Sequence, residues 1–319
     1  SAFMSRVDQG LAFVFPGQGS QTVGMLAELA SLNSIVKATF AEASEVLGYD
    51  LWQLVSEGPS ETLNATRQTQ PAMLAAGVAA WRFWNDTSDV IPGFMAGHSL
   101  GEYTALVCAG SLDFKAGIRL VAERARLMQE AVPEGVGAMA AILGLEDEKL
   151  IAACAEATTA DALVIPANFN APGQVVIAGH ATAVAKAGEL AKAAGAKRVV
   201  TLPVSVPSHC PLMKQAATEF RELLNATDFA APSIRVLHNV DVEAHADAEA
   251  IRTALEHQLF GSVRWTETIR VMAGQGVDRF IECGPGSVLA GLNKRIVPDA
   301  RTQGFSDSQT LDKAKELAA

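Results

Sequence analysis

The pentapeptide Gly97-His98-Ser99-Leu100-Gly101 constrains the fold of this chain more than any other segment. It follows the apolar residues 94–96 and precedes a helix-like segment at residues 100–107. A serine between two glycines, at a junction from strand to helix, is typical of a nucleophile elbow, where a strained turn lifts the hydroxyl clear of the sheet. The flanking glycines let the strand and the helix approach closely. The pattern therefore predicts an α/β fold with a reactive serine at the end of a strand.

The elbow also offers donors to a developing negative charge. Leu100 follows the serine at the start of the predicted helix, where its backbone N–H is a suitable donor to an oxyanion. Gln18 follows another predicted strand, at residues 11–15, and its amide or the backbone beside it is a candidate second donor. These residues indicate acyl transfer through a covalent serine ester.

A serine hydroxyl is weakly nucleophilic until a base takes its proton. His209 is the best candidate because the proline-rich residues 206–211 would hold its imidazole still. His98 adjoins the serine, but consecutive side chains on a sharp turn point apart, so it is expected to line the site. No acidic residue is identified behind His209, so a full triad and a Ser-His pair steered by a carbonyl or amide are both open. The remaining histidines are interpreted as structural or exposed: His180, His238, His245 and His257.

Arg124 lies on the apolar side of a predicted helix that begins after Asp113 and runs to about residue 131. Helical spacing puts it on the same stripe as Leu120 and Leu127. A buried guanidinium is costly unless an anion meets it, and its forked donors match a carboxylate. Two partners are open at this point, a substrate carboxylate and an internal glutamate such as Glu102.

Composition is that of an enzyme-like chain and excludes several classes. Of 319 residues, 49% are hydrophobic, and the net charge of −10 argues against nucleic acid as a partner. No segment reaches the ~18 apolar residues that a membrane span needs, and no signal peptide is found, so no membrane partner and a cytoplasmic location are expected. The widely spaced cysteines predict neither a disulfide nor a zinc site, and no metal is expected. Residues 1–4 precede a second plausible start and are interpreted as an expression remnant.

The order of elements indicates two domains. Residues 133–203 carry the order strand, helix, strand, strand, helix, strand, which is that of a ferredoxin-like domain. The segments on either side alternate helices with short apolar strands that suit a parallel sheet. The predicted organisation is a discontinuous core, residues 1–132 and 204–319, with a smaller domain at residues 133–203 inserted into it.

Several short motifs occur together and in order along nearly the whole chain. They are residues 15–21 (FPGQGSQ), 70–72 (QPA), 97–103 (GHSLGEY), Arg124 with Met128 and Gln129, 168–170 (NFN), 207–209 (PSH) and 284–286 (GPG). With these motifs the chain closely resembles the malonyl-CoA:acyl carrier protein transacylases of bacterial fatty acid synthesis. The resemblance implies an α/β-hydrolase-like core, a ferredoxin-like insert and a catalytic cleft between them.

The resemblance also implies roles for individual residues. Ser99 would take the malonyl group from malonyl-CoA and pass it to the phosphopantetheine thiol of the acyl carrier protein, with His209 as base and then acid. Gln18 and Leu100 would form the oxyanion hole, and a main-chain carbonyl near Gln258 would lie behind the histidine. Arg124 would bind the malonyl carboxylate by two hydrogen bonds. The other substrate-binding residues would be Met128, Gln70, His98 and Asn168, and no cofactor is implied.

Three alternatives share parts of this pattern. A serine hydrolase or thioesterase would use the same elbow but deliver the acyl group to water, and it would gain nothing from Arg124. A non-catalytic docking module would be expected to lack the nucleophile or the base, and both are present. A polyketide-type acyltransferase would accept methylmalonyl groups. Lys197 and Arg198 are candidates for contact with the acidic carrier protein.

Overall fold

The computed structural model describes residues 5–204 and 206–319, and the proposed expression remnant at residues 1–4 lies outside these ranges. The strands within the described ranges form two separate sheets. They are β1 Arg6–Phe15, β2 Val90–Gly97, β3 Gly137–Leu143, β4 Val164–Ala171, β5 Gln174–His180, β6 Arg198–Thr201, β7 Arg235–Leu237, β8 Arg279–Cys283 and β9 Arg301–Phe305.

The helices cover both faces of the first sheet and pack against the second. Their bounds are α1 Ala27–Leu32, α2 Ile35–Leu47, α3 Leu51–Glu57, α4 Ser60–Leu63, α5 Thr66–Thr87, α6 Gly101–Cys108, α7 Phe114–Glu130, α8 Asp147–Ala157, α9 Ala181–Ala193, α10 Lys214–Asn225, α11 Ala248–Gln258, α12 Trp265–Gly274, α13 Val288–Ile296 and α14 Ser308–Ala318. A short 3₁₀ helix, Pro211–Met213, precedes α10.

The first sheet is parallel throughout, with the strand order β7-β2-β1-β8-β9. Residues 11–15 of β1 are fully buried because β1 is the central strand and its side chains pack into apolar clusters on both faces. Phe15 pairs with Gly97, so the carboxyl ends of β1 and β2 lie side by side. The loops after these strands, and the loop after β7, therefore meet at one edge of the sheet, where ligands bind in open α/β sheets.

The second sheet is antiparallel, with the strand order β4-β5-β3-β6. Apolar residues of α8 and α9 pack against it and form a separate core that includes Leu150, Val184 and Ile177. Phe169 N–H donates to the carbonyl of Val263, and this bond joins β4 to the loop that leads into α12. The small sheet is thereby fixed beside the carboxyl edge of the parallel sheet.

Several boundaries match the sequence predictions closely. The Asp113 side chain accepts from the Ala116 N–H, which is the predicted helix cap. The sequence Thr69-Gln70-Pro71 predicts a helix that opens at Thr69, with the proline in a tolerated early position, but this prediction is wrong by one turn. The helix begins at Thr66 because the N–H groups of Gln68 and Thr69 both donate to the Ala65 carbonyl, and Pro71 therefore lies inside the helix.

The cysteines and the apolar length of the helices were also predicted from the sequence. All four cysteines are free thiols, as the spacing predicted: Cys108, Cys154, Cys210 and Cys283. Among the helices of residues 5–204 and 206–319, none combines the length and the apolar character needed to cross a bilayer.

Candidate active site

The turn after β2 has the strained geometry that the pentapeptide predicts. Ser99 adopts a φ of 54°, in the left-handed region that non-glycine residues seldom enter. A Cβ on Gly97 would overlap the carbonyl group of Gly101, and a Cβ on Gly101 would overlap the carbonyl of Phe15. The two glycines are therefore required by close approach of backbone segments, while the serine itself carries the strained torsion.

The structure brings Ser99 and His209 together across 110 positions of sequence. Ser99 Oγ lies 2.7 Å from His209 Nε2, and His209 Nδ1 lies 2.7 Å from the main-chain carbonyl oxygen of Gln258. Because a carbonyl only accepts, Nδ1 carries the proton and Nε2 is free to accept from the serine hydroxyl. The Gln258 carbonyl occupies the position behind His209, so the arrangement is a serine-histidine pair held by a carbonyl.

The electrostatic surroundings of His209 favour its neutral form. Burial, followed by the positive charge of Arg124, lowers the pKa of His209 to about 3 from its ordinary value of 6.5. A neutral imidazole is the form that acts as a base. His209 is therefore available as a base without having to lose a proton first.

Arg124 is buried on α7, and only 1% of its surface is exposed. Nη1 donates to Gln70 Oε1 at 2.8 Å, Nη2 donates to Gln258 Oε1 at 3.0 Å, and the guanidinium lies 5.3 Å from the centre of the Tyr103 ring. Burial lowers the pKa of Arg124. Its direct hydrogen-bond partners are thus two neutral amides.

The internal ion pair between Arg124 and Glu102 that the sequence left open does not form. Glu102 is fully buried and accepts from the backbone N–H of Asn239 at 2.6 Å through Oε1. Its other oxygen lies 2.9 Å from His238 Nδ1. His238, which was expected to be structural or exposed, is buried and structural. It is a hydrogen-bond partner of Glu102, because a buried carboxylate requires donors.

Sequence reasoning missed Asn239, which follows β7. Its Oδ1 accepts from the Ser99 N–H at 2.8 Å, and its Nδ2 donates to the Gly97 carbonyl at 2.7 Å, so it bridges the elbow from Ser99 to Gly97. The available signal was the polar pair His238-Asn239 directly after the short strand β7. That signal was not used because residues 235–237 were not predicted as a strand.

The two candidate oxyanion donors lie on adjoining loops. Gly17 packs so closely against the elbow that a Cβ there would lie only 2.5 Å from the carbonyl oxygen of His98. Within the described ranges, the backbone N–H groups of Gln18 and Leu100 donate to no protein acceptor. The side-chain amide of Gln18 is exposed and donates to Thr66 Oγ1 at 3.3 Å, so the backbone N–H is the group suited to an oxyanion.

A cavity of about 230 Å³ opens above Ser99 and His209. Gln18, His98, Met128 and Asn168 line it, and side chains of the small antiparallel sheet and of α13 complete its walls. Asn168 Oδ1 is buried without a hydrogen-bond partner among the described residues, which leaves it free to meet a ligand.

Two of the predicted substrate-binding residues lie behind the cavity wall. Gln70 and Arg124 are not among the residues that line the cavity. Gln70 Nε2 lies 3.8 Å from the sulfur of Met128, which does line it. His98 is held by a 2.7 Å hydrogen bond with Asn170, and its pKa is lowered by burial. Met128 therefore lies between the cavity, which it lines, and Gln70, which binds the Arg124 guanidinium.

One group of side chains outside the cavity has metal-ligating chemistry. Ligand atoms of Asp241, Glu243 and His245 lie within 4.8 Å of one another. The 2.6 Å hydrogen bond between Asp241 and His245 accounts for much of this proximity.

Comparison with known proteins identifies the class. Residues 12–308 match the family model described as the acyl transferase domain, so the class of this protein is that of the acyl transferases. A malonyl CoA-acyl carrier protein transacylase of Escherichia coli (strain K12) is 56% identical, with 96% of this chain and 99% of the relative covered. The chain belongs to the acyl transferase family and, within it, to the malonyl CoA-acyl carrier protein transacylases.

Solved structures share the fold over nearly its whole length. An acyl carrier protein S-malonyltransferase from Vibrio cholerae superposes with a TM-score of 0.94 at 58% identity, covering 96% of this chain and 99% of that one. A malonyl-transacylase solved in complex with a type II PKS acyl-carrier protein gives a TM-score of 0.94 at 56% identity, with the same coverage. The mixed α/β architecture, with one parallel and one antiparallel sheet, is therefore that of the solved relatives.

Proposed function

We propose that this chain transfers a malonyl group from malonyl-CoA to the phosphopantetheine thiol of an acyl carrier protein, a step that feeds fatty acid chain elongation. The observation that carries the proposal is the 2.7 Å contact between Ser99 Oγ and His209 Nε2. The identity of the two substrates is inferred from the relatives, which are named as transacylases for malonyl-CoA and acyl carrier protein.

In the first half-reaction, neutral His209 takes the proton of Ser99 Oγ as the oxygen attacks the thioester carbonyl. The backbone N–H groups of Leu100 and Gln18 stabilise the oxyanion. The tetrahedral intermediate collapses, the C–S bond breaks, and the CoA thiolate takes the proton from Nε2. Ser99 is left as a malonyl ester, and the Gln258 carbonyl keeps the imidazole oriented throughout.

In the second half-reaction, His209 takes the proton of the carrier protein's thiol, and the thiolate attacks the ester carbonyl. The bond from the carbonyl carbon to Ser99 Oγ breaks, and the serine oxygen takes the proton back from Nε2. The free enzyme is restored with no net proton uptake. Because CoA leaves before the carrier protein reacts, the mechanism is ping-pong.

Arg124 supplies selectivity in this proposal. A malonyl carboxylate would accept hydrogen bonds from the guanidinium, whereas an acetyl group would leave the buried cation without an anion. For the carboxylate to reach the guanidinium from the cavity, the flexible Met128 side chain must move and its contact with Gln70 must break. His98 and Asn168 would bind the substrate from the cavity wall.

We also propose the finer description of the fold. The parallel sheet and its helices form an α/β-hydrolase-like core, residues 1–132 and 204–319, and residues 133–203 form a ferredoxin-like small domain. Support for the second part comes from the element order β3-α8-β4-β5-α9-β6 and the antiparallel strand order β4-β5-β3-β6. A cytoplasmic location and the lack of a cofactor requirement stay predictions, as does contact of Lys197 and Arg198, both exposed, with the carrier protein.

Intact-mass spectrometry after incubation with malonyl-CoA tests the function. We expect a malonyl adduct that maps to Ser99, is absent from Ser99→Ala, and disappears on addition of holo acyl carrier protein with formation of the malonyl carrier protein. An adduct that decays equally fast without the carrier protein would indicate a thioesterase. No adduct from a folded protein would indicate a docking module, and an adduct formed equally well from methylmalonyl-CoA would favour the polyketide-type alternative.

A further inference from the structure

The side chain of Gln258 joins the cationic group and the nucleophile turn through a single buried amide. Its Oε1 accepts from Arg124 Nη2 at 3.0 Å, and its Nε2 donates to the Ser99 carbonyl at 2.9 Å and to Asn239 Oδ1 at 3.1 Å. Asn239 is itself fixed, because its Nδ2 donates to the Gly97 carbonyl. Both partners of Nε2 are therefore acceptors, so the amide has one possible orientation and its oxygen must face Arg124.

The amide partners hold Arg124 without neutralising it. Gln70 and Gln258 each accept one hydrogen bond and carry no charge. The nearby carboxylate of Glu102 uses one oxygen on Asn239 and the other on His238. Neither Glu102 oxygen hydrogen-bonds to the guanidinium, so a further anion can still pair with it directly, although the charge of Glu102 acts on Arg124 from nearby.

Enough donors remain on the guanidinium to bind that anion. A guanidinium has five N–H groups. Gln70 takes one from Nη1 and Gln258 takes one from Nη2, while Nε is buried with no partner in the described part of the chain. The three remaining N–H groups suffice for a bidentate carboxylate.

Resting on the proposed function, we infer that the side-chain amide of Gln258 is a specificity-determining positioning group, distinct from the main-chain carbonyl that orients His209. It fixes Arg124 relative to Ser99 and keeps the guanidinium charge available for the carboxylate of the acyl group. A carboxylate at position 258 would occupy the guanidinium as an internal ion pair. Selectivity for a carboxylate-bearing acyl group then depends on the side chain at 258 being uncharged.

The test compares the rates at which malonyl-CoA and acetyl-CoA acylate Ser99 in Gln258→Glu and in the wild-type chain. We expect the malonyl-to-acetyl ratio of rates to fall about 10- to 100-fold in Gln258→Glu. This fall corresponds to the loss of a charge-assisted pair of hydrogen bonds between the guanidinium and the acyl carboxylate. The acetyl rate serves as the internal measure of folding and of the serine-histidine pair. Gln275→Glu adds the same charge at an exposed helix end and is expected to keep the wild-type ratio.

Gln70→Glu and Gln258→Met keep the inference falsifiable if Gln258→Glu fails to fold. Gln70→Glu places a carboxylate on the other side of the guanidinium and is expected to lower the ratio similarly. Gln258→Met removes the hydrogen bonds but leaves the charge free, so it is expected to raise the KM for malonyl-CoA and to lower the ratio less than either glutamate. A wild-type ratio in the folded glutamate variants, or equal loss with both donors, overturns the inference. Failure of the wild-type chain to form a malonyl ester overturns the proposed function instead.

Discussion

Ser99 and His209 both adopt left-handed backbone conformations, with φ of 54° and 61°, and their side chains meet at 2.7 Å. Each strained position is held by a hydrogen bond from its own N–H, Ser99 to Asn239 Oδ1 and His209 to the Leu259 carbonyl. Such conformations cost about 1–3 kcal/mol each and persist only where the surroundings enforce them. The surrounding fold thus holds Ser99 and His209 in place.

Replacement of Arg124 by alanine should affect the transfer of malonyl and acetyl groups to different extents. We expect malonyl transfer to fall about 100-fold or more, because the buried carboxylate of the substrate would lose its charged partner. Acetyl transfer should fall much less. Rates with both CoA thioesters measure this, and Arg126→Ala is the matched control because Arg126 lies on the same helix but is partly exposed and paired with Glu123 and Glu130. Equal loss with both donors would contradict a carboxylate-binding role.

The pH dependence of acylation should lack an acid limb at the ordinary histidine value. The pKa of His209 is lowered to about 3, so the imidazole stays neutral and competent as a base well below pH 6.5. The positive charge of Arg124 contributes to this lowering, so Arg124→Ala should move the limb to higher pH. Acetylation rates against pH in both proteins, over the range where circular dichroism is constant, measure the shift. A wild-type limb near pH 6.5 would rule out the buried, neutral base.

The lowered pKa of His209 also makes the free energy of unfolding depend on pH. Between pH 3 and 6.5 the unfolded chain binds a proton at His209 that the folded chain does not. This residue therefore makes the free energy of unfolding rise with pH across that window, and the contribution is lost on acidification. Denaturant unfolding at several pH values, compared with a His209→Gln variant, measures the difference in slope. An identical slope in both proteins would mean that His209 does not titrate as proposed.

Asn239→Ala should weaken both acyl transfers and the fold. The change leaves the Ser99 N–H and the Gly97 carbonyl without their partner, at a cost of about 1–3 kcal/mol for each buried group. Unlike Arg124→Ala, it should lower the acetyl rate strongly as well as the malonyl rate, because the turn that carries Ser99 serves both acyl groups. Denaturant unfolding and acylation rates measure the two effects. A variant that is as stable and as active as the wild-type chain would show that Asn239 does not support the turn.

Gly97→Ala and Gly274→Ala should have opposite effects on stability. A Cβ at Gly97 overlaps the Gly101 carbonyl, so we expect a loss of about 1–3 kcal/mol or more, together with loss of activity. Gly274 lies in α12 with nothing near its Cβ position, and alanine there should be neutral or stabilising by about 0.4–1 kcal/mol. Urea unfolding midpoints of the two variants provide the comparison. Similar midpoints would contradict the close approach of strand and helix at the elbow.

The sequence by itself determined the local elements of this protein. The elbow strand and helix, the Asp113 cap, and the order of strands and helices in residues 133–203 all follow from periodicity, capping residues and glycine, which act over a few neighbouring positions. The mixed α/β class followed from the alternation of these elements. The motifs added the family, which the comparisons confirm.

Only the tertiary structure decided how distant groups meet. Spacing could not show that Glu102 is not the partner of Arg124, because Glu102 is bound by His238 and Asn239 in the loop after β7, a strand that the sequence did not predict. The contact of His209 with Gln258, and of Gln258 with Arg124, joins segments separated by 49 and 134 positions. Such contacts depend on the order and register of strands in the sheet, which no local pattern encodes.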